Sequence, residues 1–324
     1  MRIFHLSDGL PEDARGAALA IGNFDGVHIG HRHVIAETRD IARGLGAPSA
    51  VLTFEPHPRR LFAPEAPPFR LSSLDVKARA MDDLGVDLMF VAAFDRAFAA
   101  IPAESFIDDI LVARLGVRHV VVGDDFCFGH RRQGDVALLR ERAAAAGFGV
   151  SPAPKVLDSS GAPVSSNTIR TALAAGDTGL AEGLLGRPWE VDGIVVDGDK
   201  RGRELGFPTA NLDICDYLHP ANGVYAVRAG VLEAGGTRWH DGAASFGLRP
   251  QFAGTDPRLE VYLLDFSGDL YGKTLRVVFH AFLRGEERFA DVAALVAQMH
   301  RDVIDARRAL SGVPASGNGP ATGG

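Results

Sequence analysis

The 324-residue sequence holds only two cysteines, Cys127 and Cys215. Two thiols build neither a disulfide framework nor a four-cysteine zinc site, so a reducing cytosol is the expected compartment. No apolar run approaches the roughly 18 residues needed to span a bilayer, which removes membrane insertion from the expected functions. The opening MRIFHLSDGLPEDARG lacks the apolar core of a secretory signal. Basic residues are in deficit: 34 Lys and Arg against 41 Asp and Glu leave a net charge of −7. That balance argues against a general nucleic-acid coat, and any phosphate binding falls to local loops. No internal repeat is present. The remaining composition, 46% hydrophobic and 23% charged, is that of a globular chain. At roughly 150 residues per domain, the length corresponds to about two domains.

Short apolar runs alternate with helical stretches in the first half. Residues 17–22 (AALAIG), 49–54 (SAVLTF), 88–94 and 119–123 (HVVVG) read as buried strands. Helices are expected up to about residue 42, then over 75–84, 105–114 and 136–146. Continuous apolar strands separated by helices predict a parallel sheet covered on both faces, a doubly wound Rossmann-like α/β domain. Ligands of such sheets sit at the carboxyl ends of the strands. After about residue 186 the pattern becomes β-rich, with runs at 189–196, 209–214, 224–231, 238–246, 259–266 and 273–279. Six short, closely spaced strands predict a small antiparallel β-barrel. A helix over 291–310 should pack on it through Val292, Leu295, Val296, Met299, Val303 and Leu310. The expected domains are therefore 1–186 and 187–310. Residues 311–324 (SGVPASGNGPATGG) offer no apolar face and are expected to be a disordered tail.

Residues 22–31 read GNFDGVHIGH, between a strand and a helix. Glycines at 22, 26 and 30 let a backbone approach a ligand closely. A helix starting there aims N–H groups and a partial positive charge at an anion. His28 and His31 flank Gly30 and can converge on one phosphate, which suits stabilisation of charge in a transition state. A zinc pair and a plain glycine turn with solvated histidines are the alternatives. In VSSNTIR (164–170), Ser165 or Ser166 can cap a helix, and Arg170 in its first turn opposes the helix dipole, as an anion site would require. The loop GDDFCFG (123–129) joins Asp125 to Phe126 and Phe128, which can stack on a planar ligand or serve as core. TFEPHPR (53–59) closes the second strand in a rigid Pro56-His57-Pro58 turn.

The second half carries its own constellation. Lys200, Arg201 and Arg203 flank Gly202 in GDKRGRELGFPTANL (198–212), either a phosphate-wrapping loop or a solvated basic hairpin. Thr209 and Asn211, two apart on a strand, face one way, and two neutral oxygens suit magnesium that also takes ligands from ATP and water. The alternative is a Thr and an Asn in a turn after proline. Glu260 interrupts the apolar run LEVYLLDF, either on a solvated edge or as a positioned proton acceptor.

These motifs resemble those of the bacterial bifunctional riboflavin kinase/FMN adenylyltransferases, the prokaryotic FAD synthetases. GNFDGVHIGH, TFEPHP, VGDDFCFG and VSSNTIR are similar to the nucleotidyltransferase half. LGFPTANL, GVYAV, LEVYLLDF with GDLYG, and FLRGEERF are similar to the kinase half. The resemblance spans about residues 15–310. It implies that His28 and His31 engage ATP phosphates, beside Gly22, Phe24, Gly30, Ser165 and Arg170. It implies a flavin subsite of Pro56, His57, Asp125, Phe126 and Phe128. In the kinase half it implies Mg2+–ATP on Thr209 and Asn211 with Lys200 and Arg203 closing over it, Glu260 as base for the riboflavin 5′-hydroxyl, and Arg284 near the flavin.

The implied activity is phosphorylation of riboflavin to FMN and adenylylation of FMN to FAD, each from ATP. The implied partners are small molecules, with no nucleic acid and no membrane, for a cytoplasmic monomer or weak homo-oligomer. Several positions depart from the family pattern. Asn167 replaces a usual Thr, Cys127 a larger residue, Ser245 an Asn, Gln251 a Thr, and Asp197 a frequent His. None removes the implied ligands or base, so an active kinase is expected, slower or with weaker flavin affinity. An adenylyltransferase with a damaged kinase half and a non-catalytic flavin sensor are the competing readings.

Overall fold

The structure is a computed structural model. It describes residues 1–198, 202, 205–214, 216–251 and 254–313. The expectations for Lys200, Arg201, Arg203 and Cys215, and for residues 314–324 of the tail, lie outside the described residues, as does the side chain of Gln251. By packing, the chain forms two compact units: Met1–Pro67 with Lys77–Ser165, and Pro68–Val76 with Ser166–Gly324. Among the described residues, no helix is long and apolar enough to cross a membrane.

The first unit is built on β1 (Arg2–His5), β2 (Ala18–Ile21), β3 (Ser49–Glu55), β4 (Leu88–Ala93), β5 (His119–Gly123) and β6 (Gly149–Ala153). They form one parallel sheet in the order β1-β4-β3-β2-β5-β6. All four residues of β2 and six of the seven in β3 are buried, as expected of strands covered on both faces. Chain order reverses at β2: β3 and β4 lie to one side and β5 to the other. The crevice at the carboxyl ends of β2 and β5 is thus the topological switch point, where such sheets bind ligands. The connecting helices are α1 (Ile29–Leu45), the short α2 (Pro58–Phe62), α3 (Leu74–Asp83), α4 (Phe106–Arg114) and α5 (Val136–Ala146). α1 buries Ile35, Thr38 and Ala42 along one stripe and stops at Gly46, whose φ of +57° needs no Cβ. α4, expected as an ordinary helix, winds as a π-helix.

The second unit holds α6 (Ser166–Ala174), α7 (Thr178–Leu185) and a six-stranded antiparallel barrel. Its strands are β7 (Trp189–Val196), β8 (Ala210–Leu212), β9 (Gly223–Glu233), β10 (Gly236–Gln251), β11 (Gly254–Leu263) and β12 (Thr274–Gly285). They close in the order β10-β11-β8-β7-β12-β9. Closure leaves no edge strand, so Glu260 on β11 does not sit at a sheet edge. Leu212, Leu259 and Phe246 meet at one level of the wall and Ala210, Val261 and Ala244 at another, and all six are buried in the barrel core. Residues between them in the ladder face outward.

Helix α8 (Val292–Leu310) packs across β9, β10 and β12. Its buried stripe is Asp302, Ala306 and Leu310. Val292, expected on that face, is 60% exposed. Leu310 of that face is buried and Leu295, Val296, Met299 and Val303 are half-buried, so only the first-turn Val292 departs from it, and Asp302 joins the buried stripe.

Candidate active sites

In the first unit the loop after β2 is buried and strained. Phe24 and Val27 adopt φ of 48° and 45°, conformations that side-chain-bearing residues rarely take. Both are 1% exposed, and Asp25 is 3% exposed. His28 caps α1: its Nδ1 accepts from the His31 backbone N–H at 3.3 Å. With Nδ1 accepting, the neutral ring carries its proton on Nε2, which is then a donor. The His28 and His31 rings stack with centroids 3.6 Å apart, and Phe24 meets His31 edge-on at 5.3 Å. A Cβ at Gly30 would lie 3.1 Å from the His28 ring, and one at Gly22 3.2 Å from Phe24. Glycine at these positions lets the loop close on itself. No acidic residue occupies the first turn of α1, so its own sequence leaves the positive pole uncompensated.

Sequence reasoning missed the support beneath this loop. Lys77 is only 3% exposed. Its Nζ donates to Thr53 Oγ1 at 3.1 Å, and that hydroxyl donates to the Asn23 carbonyl at 3.1 Å. Glu55 lies 4.0 Å from the same ammonium. A Lys between the buried Val76 and Ala78 was the available signal. Among the described residues, no group of three or more His, Cys, Asp or Glu side chains is placed to hold a metal.

The loops after β3 and β5 leave the same sheet edge. His57 caps α2, with Nδ1 accepting from Arg59 N–H at 3.1 Å, and Pro56 beside it is exposed. Phe126 is half-buried and stacks on Phe128 at 5.4 Å. Phe128, 7% exposed, continues into the core against Phe106. Asp125 pairs with Lys155 at 2.9 Å, which raises the Lys155 pKa. Ser165 ends the first unit. Arg170 belongs to the second, where Nε donates to the Phe69 carbonyl at 2.8 Å and Nη1 to Asn167 Oδ1 at 2.6 Å. The charge that looked anion-directed in the sequence is thus partnered within the chain, and the departure at 167 supplies one partner.

In the barrel, a row of outward-facing side chains crosses four strands. Asn211 on β8 is opposite Glu260 on β11, Glu260 is opposite Ser245 on β10, and Ser245 is opposite Val224 on β9. Thr209 Oγ1 donates to Glu260 Oε2 at 3.4 Å. Asn211 is 9% exposed, and its Oδ1 is buried with no hydrogen-bond partner among the described residues. A buried acceptor left this way is costly unless a ligand satisfies it. Two neutral oxygens beside a carboxylate fit a hard divalent cation such as Mg2+. Farther along the row, a cavity of about 580 Å³ is lined by Val224, Ser245, Arg284, Glu286, Phe289 and Leu295 among others. That volume suits a small organic ligand. Arg284 lines it, but its Nε and Nη2 are held by Asp302, a residue the sequence analysis did not single out.

A family model described as FAD synthetase matches residues 10–168, and one described as riboflavin kinase matches 185–310. A bifunctional riboflavin kinase/FMN adenylyltransferase of Escherichia coli K12 is 43% identical over 90% of this chain and 92% of its own. The Pseudomonas fluorescens protein of the same description is 46% identical over 92% of this chain and 94% of its own. The chain belongs to the bifunctional riboflavin kinase/FMN adenylyltransferase family.

A crystal structure described as a macrolide-efflux protein of Streptococcus pneumoniae superposes with a TM-score of 0.81. It is 28% identical and covers 94% of this chain and 98% of its own. Its likeness extends over the barrel as well as the parallel sheet.

Proposed function

We propose that this chain makes FAD from riboflavin in two ATP-consuming steps at two separate sites, adenylyl transfer in residues 1–186 and phosphoryl transfer in 187–310. The observation that carries the kinase step is the outer row of the barrel, where a carboxylate, an orphaned buried amide oxygen and a cavity adjoin. Riboflavin occupies the cavity with its 5′-hydroxyl at Glu260. Glu260 accepts that proton as the oxygen attacks the γ-phosphorus of ATP, and the bond to ADP breaks. Thr209 and Asn211 hold Mg2+, which neutralises charge on the phosphates when bound.

In the first unit, FMN lies against the loops of Pro56, His57, Asp125, Phe126 and Phe128. An oxygen of its phosphate attacks the α-phosphorus of ATP, and pyrophosphate leaves. His28 and His31, with the α1 N-terminus and the Gly22–Gly30 loop, stabilise the charge that develops there. Ser165, at the end of the first unit, adds to the nucleotide contacts there, and Lys200 and Arg203 serve the kinase. The compartment that fits two thiols and two ATP-dependent reactions is the cytoplasm, and the working form is a monomer or weak oligomer. Incubation with riboflavin, ATP and Mg2+ followed by chromatography of the flavins tests the proposal. FAD is the expected product. Conversion of supplied FMN alone would support a lone adenylyltransferase, and bound, unchanged flavin would support a sensor.

A further inference from the structure

One wall of the kinase-side cavity is held by a residue that the proposed reaction does not use. Asp302 projects from the middle of α8 and is 6% exposed. Its Oδ1 accepts from Arg284 Nε and its Oδ2 from Arg284 Nη2, both at 2.7 Å. Gln298 Nε2 donates to the same Oδ1 at 2.8 Å, one turn away on the helix. Arg284 Nη1 donates to the Gly285 carbonyl at 3.0 Å. The fork of the guanidinium is therefore engaged within the protein. Its carbon lies 5.8 Å from the centroid of the Phe289 ring, and both side chains line the cavity.

The ladder links this wall to the chemistry. Arg284 pairs with Val224, Val224 with Ser245, and Ser245 with Glu260. Three strand spacings measure about 14 Å along the curved wall. That span suits an extended ribityl chain followed by a fused ring system, with the hydroxyl end at Glu260 and the ring end at Arg284 and Phe289. The pairing of β12 with β9 shifts register between Phe282 and Arg284, an irregularity of the kind that re-aims side chains. A re-aimed Arg needs something to fix it, and the buried carboxylate does so.

We propose that Asp302 is a positioning residue for the flavin in the kinase reaction: by clamping Arg284 it fixes the Arg284–Phe289 wall against which the ring system rests. The inference rests on the kinase reading above and adds to it a residue with no direct contact to substrate.

The test uses the full chain with Asp302→Asn, Arg284→Lys and both together, in steady-state riboflavin phosphorylation. Asn keeps the size and one acceptor but loses the charge and the second acceptor. Lys keeps the charge but loses the fork. Each single variant should raise KM for riboflavin about tenfold, the order of one lost charge-assisted hydrogen bond, with kcat and KM for Mg2+–ATP little changed. The double variant should be no worse than either single, because the pair acts as one unit. Melting curves accompany the kinetics. If Asp302→Asn does not fold, Arg284→Lys carries the same KM-against-kcat test. An unmoved riboflavin KM, additive effects, or a fall in kcat that tracks a fall in Tm would overturn the inference. Absence of riboflavin phosphorylation by the unaltered chain would instead sink the kinase reading, and the inference with it.

Discussion

Gly198→Ala probes the metal end of the kinase site without touching a proposed ligand. Gly198 follows β7, and its backbone passes directly over the Asn211 amide. A Cβ there would lie 2.5 Å from Asn211 Cγ and 2.7 Å from Oδ1, where ordinary contact is 3.4–4 Å. Its φ lies outside the left-handed region, so the backbone itself accepts alanine. Restoring contact requires the amide to move by about 1 Å, a misplacement that can cost on the order of 100-fold in rate. Asn211 is short and 9% exposed, so it cannot swing aside into solvent. The predicted result is a fall in kcat for riboflavin phosphorylation of about 100-fold, with adenylylation of supplied FMN retained. Timed chromatography of riboflavin, FMN and FAD reads both steps in one protein. Gly235→Ala is the control, since a Cβ there meets nothing within 4 Å. FMN formation at the unaltered rate in Gly198→Ala would refute the assigned role of Asn211.

Chelation of divalent metal should abolish riboflavin phosphorylation and leave the far-ultraviolet circular dichroism unchanged; undiminished turnover in excess chelator would contradict the oxygen-donor site. Glu190 and Arg276 form a buried pair at 2.7 Å, with side chains 7% and 9% exposed. Glu190→Gln strands the guanidinium and should cost about 3–5 kcal/mol in urea unfolding, and a loss below about 1 kcal/mol would show the charge to be satisfied elsewhere. Burial, then the neighbouring Arg228, pushes the His280 pKa down to about 4, although Asp241 opposes this. The unfolded chain therefore binds more protons than the folded one between about pH 4 and 6.5, so stability falls as pH falls through that window. His280→Gln should flatten Tm against pH there, and an unchanged slope would refute the assignment.

The alternation of apolar runs located β2, β3, β4 and β5 because strands buried on both faces are continuous in hydrophobicity. β1 and β6 escaped notice for the opposite reason. β1 is mostly exposed, and β6 is only half-buried over most of its length and contains Pro152. The barrel was legible from the spacing of its strands, but its register was not. Sequence placed Thr209 and Asn211 on one face. Only the pairing of β8, β11 and β10 sets Glu260 between Asn211 and Ser245. Asp302 stayed hidden because a carboxylate in the middle of a charged helix reads as a solvated residue, and its partner lies 18 positions earlier in the chain. Lys77 was obscured similarly, since its burial depends on Thr53 and Glu55 of β3, beneath its helix. The partners of Arg170 were not legible either, because helix position alone says nothing of Phe69 and Asn167.

The most direct test is a crossed pair of variants, Glu260→Gln and His31→Ala, each supplied with riboflavin or FMN together with Mg2+–ATP. The account predicts that Glu260→Gln makes no FMN from riboflavin yet still converts FMN to FAD. His31→Ala should accumulate FMN from riboflavin and form little FAD. Loss of both conversions in either folded variant would contradict two independent reaction centres.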